Sequence, residues 1–268
     1  MAKVLDPRQK HSGMTKCYVE FRLILARLAV QVKTETLDWP KRSVYYFHIY
    51  MTNIRVRPYE AKDRAQLRTL CCDVADRGES IEPLFFDREL AADMLTAYYT
   101  DYEPRSSFVA EHNGSIVGYV NGCVDNRRYG LVMFWILIPA ALIRGFKRGI
   151  FFRRELWHMV HVLFKNWRRI FAWRKESFHS HQGHLHIGID ASFRNQHLGE
   201  QLIKALVERA VGKRVGELTA SVHDANKPAM RFFERLGFVV RERHYTIMAR
   251  GKGWEEYNAL FYVKTITP

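Results

Sequence analysis

Cysteine is scarce in this sequence, with four among 268 residues. Cys17, Cys71, Cys72 and Cys123 lack the spacing of a metal-binding set, and the adjacent pair Cys71 and Cys72 makes a poor disulfide framework. This pattern excludes the small disulfide-stabilised secreted proteins, and it predicts a reducing, cytoplasmic location.

Long apolar runs are also missing. The longest, Leu131–Ile143, is shorter than the roughly 20 residues that a membrane-spanning helix needs. The first residues are polar and lack the apolar segment of a signal peptide, so we expect none. Hydrophobic residues nevertheless make up 47% of the chain and aromatic residues 13%, which indicates a globular protein with a sizeable core and one or two domains.

Acidic residues are few relative to basic ones. The chain has 28 Asp and Glu against 42 Lys and Arg, and its formal net charge is +14. Such a charge attracts anions, including nucleic acid, acidic protein, anionic lipid and phosphorylated cofactors, but it selects none of them. A basic surface that simply faces solvent remains the alternative.

The most informative stretch runs from His184 to Gly199. Its first part alternates apolar and polar residues, as a buried strand does, and a turn follows. After the turn, the apolar residues Leu198, Leu202 and Leu206 recur at helical spacing. A strand that leads through a turn into a helix leaves backbone N–H groups free and aligned, an arrangement that suits a phosphate or diphosphate.

Two motifs in this half of the chain resemble the GNAT N-acetyltransferase superfamily. Arg194–Gly199 is similar to its acyl-CoA motif, Arg/Gln-x-x-Gly-x-Gly/Ala, with His197 in place of the first glycine. Asn226–Phe238 is similar to its signature Asn-x-x-Ala-x-x-hydrophobic-Tyr-x-x-x-Gly-Phe, with Phe233 in place of the tyrosine. The resemblance covers about residues 53–265. It implies an α/β (α+β) fold with a mixed central sheet, splayed fourth and fifth strands, and here a helical insertion.

The resemblance also implies acetyl-CoA as co-substrate. Its pantetheine arm would pair with the backbone of the fourth strand, its diphosphate would rest on the turn and the first helical residues, and Asn226 would contact the arm or hold the gap open. The implied cofactor-binding residues are Ile187, Gly188, Ile189, Arg194, Asn195, Gln196, His197, Leu198, Gly199, Glu200 and Asn226.

Amine acetylation needs a base for the amine and an acid for the leaving thiolate. His184 and His186 share one strand face, and an imidazole titrates near working pH, so we predict that one of them is the base; two structural histidines are the alternative. Asp190 and Glu111 are weaker candidates. Many GNAT enzymes use the tyrosine that Phe233 replaces as the acid, and Tyr245 is our substitute. No nearby Cys or carboxylate pattern completes a metal site around the histidines, so we expect no metal.

The other predicted elements follow from turn and cap signals. Met51 looks like the start of the GNAT domain (51–268). Residues 1–50 are then an N-terminal extension, interpreted as a helical arm, a dimerisation segment or the product of a misassigned start codon. The predicted elements are strand Ile54–Pro58, helices Asp63–Ala75 and Asp87–Tyr99 with Asp63 and Asp87 as N-caps, the hairpin Ser107–His112 and Ile116–Val124, strand Glu217–His223, and strands Phe238–Ile247 and Ala259–Thr265.

An insertion, residues 125–183, separates the third and fourth strands. Its first half is apolar, and its second half alternates basic and aromatic residues, with Trp157, Val160, Phe164 and Trp167 at helical spacing. We predict two or more helices. The leading interpretation is a structural subdomain that packs its aromatics inward. A lid over the acceptor site, a peripheral membrane contact through residues 131–175, and last a nucleic-acid contact are the alternatives.

The sequence therefore predicts an acyltransferase that moves an acetyl group from acetyl-CoA to an amine of a small molecule or a protein. The alternative is a catalytically silent acyl-CoA-binding module that acts through a partner or a membrane surface. A homodimer remains open, and we do not expect nucleic acid as a partner.

Overall fold

The computed structural model describes residues 54–167, 182–251 and 253–266. The predicted N-terminal extension 1–50 and the insertion's residues 168–181 lie outside the described residues. The described chain contains one seven-stranded mixed sheet in the order β1-β2-β3-β4-β5-β7-β6. The strands are β1 (Ile54–Pro58), β2 (Ser107–His112), β3 (Ser115–Cys123), β4 (Gln182–Ile189), β5 (Glu217–His223), β6 (Val239–Arg250) and β7 (Gly253–Thr265).

Helices connect and cover the strands. A long helix, α3, combines α-helical Asn126–Val132, a π-helical turn Met133–Leu137 and α-helical Ile138–Lys147. The π-helical turn ends two residues before Pro139, whose missing N–H breaks the regular bonding pattern. The other helices are α1 (Arg64–Val74), α2 (Arg88–Ala97), α4 (Arg154–Lys165), α5 (Leu198–Gly212) and α6 (Lys227–Arg235).

The centre of the sheet splits between β4 and β5. These strands are parallel, and they pair only from Gln182–Glu217 to His184–Thr219. Beyond that point β4 continues on β3 as far as Ile189, and β5 continues on β7 as far as His223. Two strand edges therefore face each other without a shared ladder, which confirms the predicted splayed pair.

The main core lies between the sheet and α5. Leu202 and Leu206 on α5 are fully buried and pack in one cluster with Leu218 of β5 and Leu260 of β7. Their spacing of four residues places them on one helix face, as the apolar stripe predicted. Burial of each such leucine stabilises the fold by about 1.5–3 kcal/mol. Helix α1 covers the opposite face of the sheet, where Leu67 packs near Tyr119.

Most predicted boundaries agree with the structure, and the exceptions have physical reasons. Asp87 does cap α2, since its carboxylate accepts a hydrogen bond from Leu90 N at 2.9 Å. Asp63 stands at the N-cap position of α1 as predicted, but its buried carboxylate makes no hydrogen bond to that helix and instead binds the Arg57 guanidinium at 2.6 and 2.8 Å. Strands β6 and β7 are longer than predicted, because their hairpin pairs as far as Arg250 and Gly253.

The insertion differs more strongly from its leading interpretation. Apart from Tyr129 and Phe151, its aromatics are exposed in the described part of the chain: Trp135, Phe146 and Phe152 are 70%, 68% and 86% exposed. Helix α3 is also longer than the apolar run that it contains. With 22 residues and a mean hydropathy of 1.7, it is long and apolar enough to cross a membrane, by length and composition only. The expectation that no apolar segment reaches that length was therefore wrong. Strand β4 takes the last two predicted insertion residues.

Candidate active site

His184 is held by hydrogen bonds on both ring nitrogens. The Tyr99 hydroxyl lies 2.8 Å from its Nε2, and Asn126 Oδ1 lies 2.6 Å from its Nδ1. The ring of Tyr129 packs edge-on against the imidazole, with centroids 4.5 Å apart. Since both nitrogens are engaged, His184 is placed to orient its neighbours and to fix the start of α3 rather than to take a proton.

His186 lies two residues further along β4, on the same face and just beyond the last β4–β5 pair. Its Nδ1 is 3.1 Å from the Tyr119 hydroxyl. No described residue hydrogen-bonds its Nε2, so this nitrogen can accept a proton when the ring hydrogen sits on Nδ1. Of the two predicted bases, the geometry favours His186.

Burial changes the protonation of this cluster. It lowers the pKa of His184 and of His186 to about 4, and for His184 the charge of His186 adds to the effect. It also raises the pKa of Tyr99 and Tyr119 well above the usual 10. Both imidazoles are therefore neutral and both phenols protonated at neutral pH. The reason given from sequence, a histidine that titrates near working pH, is wrong, although a neutral imidazole is the form that accepts a proton.

A row of buried polar side chains crosses three strands beside His186. Asn121 on β3 lies opposite His186, and Ser107 on β2 lies opposite Asn121. Both are fully buried, and neither the Asn121 amide nor the Ser107 hydroxyl has a hydrogen-bond partner within the described residues. Such groups are costly unless a polar partner satisfies them, so the row marks a place for a polar guest next to His186.

The sequence reasoning missed Tyr99, Tyr119, Asn121 and Asn126. Asn121 offered a signal, since a polar amide stands in an otherwise apolar strand, between Val120 and Gly122. The two tyrosines and Asn126 offered none, because their roles depend on contacts between elements distant in sequence.

The predicted cofactor-binding part of β4 borders the split. Residues Ile187–Ile189 pair with β3 on one side and face the gap on the other. Gly188 is required by packing, because a Cβ there would lie 2.6 Å from Val74 Cγ2 and 2.7 Å from Tyr119 Cε1. The backbone edge opposite β5 is thus available for pairing with an extended ligand.

The turn after β4 ends in the N-terminus of α5, as predicted. His197 stands at the N-cap with φ 58°, the left-handed conformation that glycine adopts most easily. Its side chain is 78% exposed and does not cap the helix backbone; its Nδ1 instead lies 3.4 Å from the Glu200 carboxylate, within hydrogen-bond reach. The first N–H groups of α5 therefore point outward from an end without a side-chain cap, ready for an anion.

The Arg194 side chain makes contacts that the sequence did not predict. Its guanidinium donates to the backbone oxygen of Gly78 at 2.7 Å and to that of Ile189 at 3.3 Å, so it fastens the loop after α1 to the end of β4. The same loop is tied to the β6–β7 hairpin, since Asp76 pairs with Arg250 at 2.7 Å. The Arg194 guanidinium still places a positive charge near the turn, but its hydrogen bonds hold the loop after α1 in position.

Gly199 and Asn226 also act through packing and capping. A Cβ at Gly199 would lie 2.8 Å from the Phe232 ring, so glycine lets α5 and α6 approach closely. Asn226 Oδ1 accepts a hydrogen bond from Ala229 N at 3.2 Å and thereby caps α6. Of the remaining predicted residues, Leu198 is buried in the core, and Asn195 adopts a left-handed φ of 62°.

Three predicted residues are not brought to this site. Tyr245 lies on the edge strand β6, separated from the gap by β7, and its hydroxyl bonds Glu256. Glu111 accepts a hydrogen bond from Arg57 at 2.6 Å on β2. Asp190 caps the turn after β4 by accepting a hydrogen bond from Ser192 N at 2.8 Å. A carboxylate or hydroxyl held in this way does not serve the gap.

Phe233 lies in the core. It is 4% exposed, stacks on Tyr262 with centroids 5.8 Å apart, and meets Phe238 edge-on at 5.1 Å. The position therefore offers an aromatic packing group and no hydroxyl.

Comparisons with known proteins agree with this architecture. Residues 159–238 match the model of the acetyltransferase (GNAT) family. The fold is similar to a crystal structure of SsHAT, with 20% identity, a TM-score of 0.57, and coverage of 81% of this chain and all of that one. It is also similar to an N-acetyltransferase from Staphylococcus aureus Mu50, with 16% identity, a TM-score of 0.50 and the same coverage. No curated protein matches the sequence. The predicted GNAT resemblance and fold are confirmed.

Proposed function

Starting from a chain with the GNAT fold and a match to the GNAT acetyltransferase family, we propose that it transfers an acetyl group from acetyl-CoA to an amine. The observation that carries the proposal is the juxtaposition at the split of the sheet. An unpaired strand edge, the uncapped N-terminus of α5 and a histidine with an unengaged Nε2 meet there.

The residues of the gap fit acetyl-CoA by their chemistry. The β4 edge at Ile187–Ile189 offers backbone groups to an amide-bearing arm. The first turn of α5 offers N–H groups to a diphosphate, and the net charge of +14 favours the approach of a polyanion. Acetyl-CoA, when bound, supplies the thioester whose acetyl carbon the amine attacks as the carbon–sulfur bond breaks.

His186 is the chain's base in this proposal. A neutral imidazole with its hydrogen on Nδ1 accepts the amine proton at Nε2, and Tyr119 fixes the ring through Nδ1. A base with a pKa near 4 is weak, so an amine that arrives neutral or already partly bonded to the acetyl carbon suits it best. Asn121 can position the acceptor or a water beside the imidazole through its unpaired amide.

A second function, binding of acyl-CoA without turnover, has one specific observation in its favour. Phe233 lies in the core and supplies no hydroxyl where many GNAT enzymes have a tyrosine that protonates the thiolate. The enzyme and the silent module share the same gap, so only a measurement of turnover separates them.

Thiol release from acetyl-CoA in the presence of a panel of small amines and peptide amines tests the proposal. We expect turnover by the wild type and a decrease in kcat of about 100-fold or more in His186→Gln. His161→Gln, which changes an exposed histidine on α4, is the matched control and should turn over normally.

Two results would contradict the proposal in different ways. Acetyl-CoA binding without thiol release for any amine would favour the silent module. Turnover by His186→Gln at the wild-type rate would remove His186 from the mechanism while leaving the activity in place.

A further inference from the structure

The outward side of α3 is apolar along most of its length. Leu131, Trp135, Leu142 and Phe146 are 54%, 70%, 55% and 68% exposed. Their spacings of four, seven and four residues place them along one side of the helix. The opposite side, which includes Leu137 and Ala141, is buried against the rest of the domain.

The insertion that carries this surface holds most of the exposed large hydrophobic side chains of the described chain, and seven of them lie on α3. Of the sixteen large hydrophobic side chains that are exposed there, thirteen lie between Leu131 and Trp167. The apolar surface continues past the end of α3, because Phe146 meets Phe151 at 6.2 Å and Phe152 beside it is 86% exposed. Concentrated apolar exposure of this kind marks an interaction surface.

Basic side chains border the apolar surface at both ends of α3. Arg127 and Arg128 are exposed in its first turn, and Lys147 is exposed in its last. Arg153 and Arg154 follow and are exposed as well. Among residues 125–167 the acidic side chains are Asp125 and Glu155 only. An apolar face bordered by basic residues matches the interfacial region of an anionic bilayer.

The attachment of α3 favours a position along the membrane surface. Its first residue, Asn126, bonds His184, while near its other end Arg144 pairs with Asp93 at 3.1 Å and Arg148 with Asp87 at 3.0 Å. Twenty-two helical residues span about 33 Å, so both ends of this length are fastened to the same domain. A bilayer crossing would break one set of these contacts.

We propose that the exposed face of α3, continued by Phe152, docks this protein on the surface of an anionic phospholipid bilayer. Charge decides between this occupant and a second copy of the chain. Two copies packed through this face would bring their basic borders together within a pair that each carries a formal charge of +14. Anionic lipid neutralises the same border, and its acyl region accepts the aliphatic and aromatic side chains.

Flotation with vesicles tests the docking surface without acetyl-CoA, so its outcome is independent of the proposed activity. The full-length chain is mixed with vesicles of two kinds. One kind is phosphatidylcholine alone, and the other contains about one third phosphatidylglycerol, which gives a strongly anionic surface. We expect the protein to float with the anionic vesicles, with at least about tenfold weaker partitioning to the neutral ones. Partitioning should fall, but not vanish, at high salt, because the apolar contacts persist.

Matched variants assign the binding to this face. Trp135→Ser/Phe146→Ser should weaken partitioning at least about tenfold without changing the net charge. Val239→Ser, at an exposed site on β6, should leave it unchanged. Lys147→Glu should weaken it several-fold, whereas Lys204→Glu on α5 should have little effect.

Failure to float with either vesicle would overturn the proposal, and so would equal flotation of the Trp135→Ser/Phe146→Ser protein. Light scattering in vesicle-free buffer adds a further check. A dimer that this double variant dissociates would assign the face to a second copy and would also overturn the proposal.

Discussion

The sheet domain buries the apolar face of its helix α5, whereas the helical insertion leaves the apolar face of α3 exposed. In the sheet domain, Leu202, Leu206 and Leu218 are fully buried between α5 and the strands. In the insertion, Leu142 and Trp135 on α3 are more than half exposed. Both regions form amphipathic helices, but only one of them meets its apolar partner within the described chain.

Helix periodicity thus predicts that a helix has an apolar face, but it does not predict what covers that face. Helix α5 is covered by the sheet because it connects the parallel strands β4 and β5. Parallel neighbours need a crossover connection, and the helix of such a crossover packs on the sheet. Helix α3 belongs to the insertion that connects β3 to β4, and because these strands pair antiparallel, the sheet topology does not oblige the helix to bury both sides. The sheet domain then carries the candidate chemistry, and the insertion carries the candidate contact with its surroundings.

Truncation of one leucine in each region gives the largest contrast. Leu206→Ala should lower the free energy of unfolding by about 4 kcal/mol, because it leaves a cavity under Gly122 in the centre of the core. Leu142→Ala should change it by less than about 0.5 kcal/mol, since the side chain is exposed. Urea unfolding of both proteins measures the difference. Equal losses would show that α3 is covered in solution.

The next contrast is in acid. Above about pH 6.5 His184 and His186 are neutral in the folded and unfolded chain, so they do not alter stability. Between pH 6.5 and pH 4 the two imidazoles bind protons in the unfolded chain but not in the folded chain, because their pKa in the folded chain is about 4. The free energy of unfolding should therefore fall as the pH is lowered through this window, by about 3 kcal/mol for the pair at pH 5.5.

A His184→Gln/His186→Gln protein is the comparison for this effect, because glutamine has no charge to bury. Its own loss between pH 7.5 and 5.5 should be smaller than that of the wild type by about the same 3 kcal/mol. Parallel pH profiles for the two proteins would contradict the depressed pKa values.

The smallest of these effects concerns the turn before α5. His197→Gly should raise the free energy of unfolding by about 0.5–1 kcal/mol, because glycine accepts the left-handed φ of 58° without strain. It should also preserve acetyl-CoA binding, since the N–H remains. Thermal unfolding measures the first effect. A loss of stability would show that the exposed imidazole contributes more than the strain costs.

Much of the fold was predictable from local signals. The alternation in β4, the hairpin of β2 and β3 and the apolar stripe of α5 each depend on signals within a few residues, and the structure agrees. Predictions failed, at least in part, where the presence or absence of contacts between residues distant in the sequence decides the outcome. Arg57 takes the Asp63 carboxylate from its predicted capping role, and the inward packing of the insertion is contradicted by the exposure of Trp135.

The candidate site was predictable only in part. The histidines and the turn before α5 could be located from sequence because they lie in contiguous motifs. The selection of His186 over His184 could not, since it depends on Tyr99 and Asn126, which reach His184 from separate helices. Arg194 resembled a phosphate ligand by position, but its contact with Gly78 exists only in the folded chain.

The most direct test of the central claim, that the split of the sheet binds acetyl-CoA beside α5, is isothermal titration of the wild type with acetyl-CoA. We expect a dissociation constant on the order of micromolar. We also expect roughly tenfold weaker binding by His197→Asp, whose carboxylate would stand beside the N–H groups offered to the diphosphate. The absence of any binding heat, or equal affinity of His197→Asp, would contradict the account.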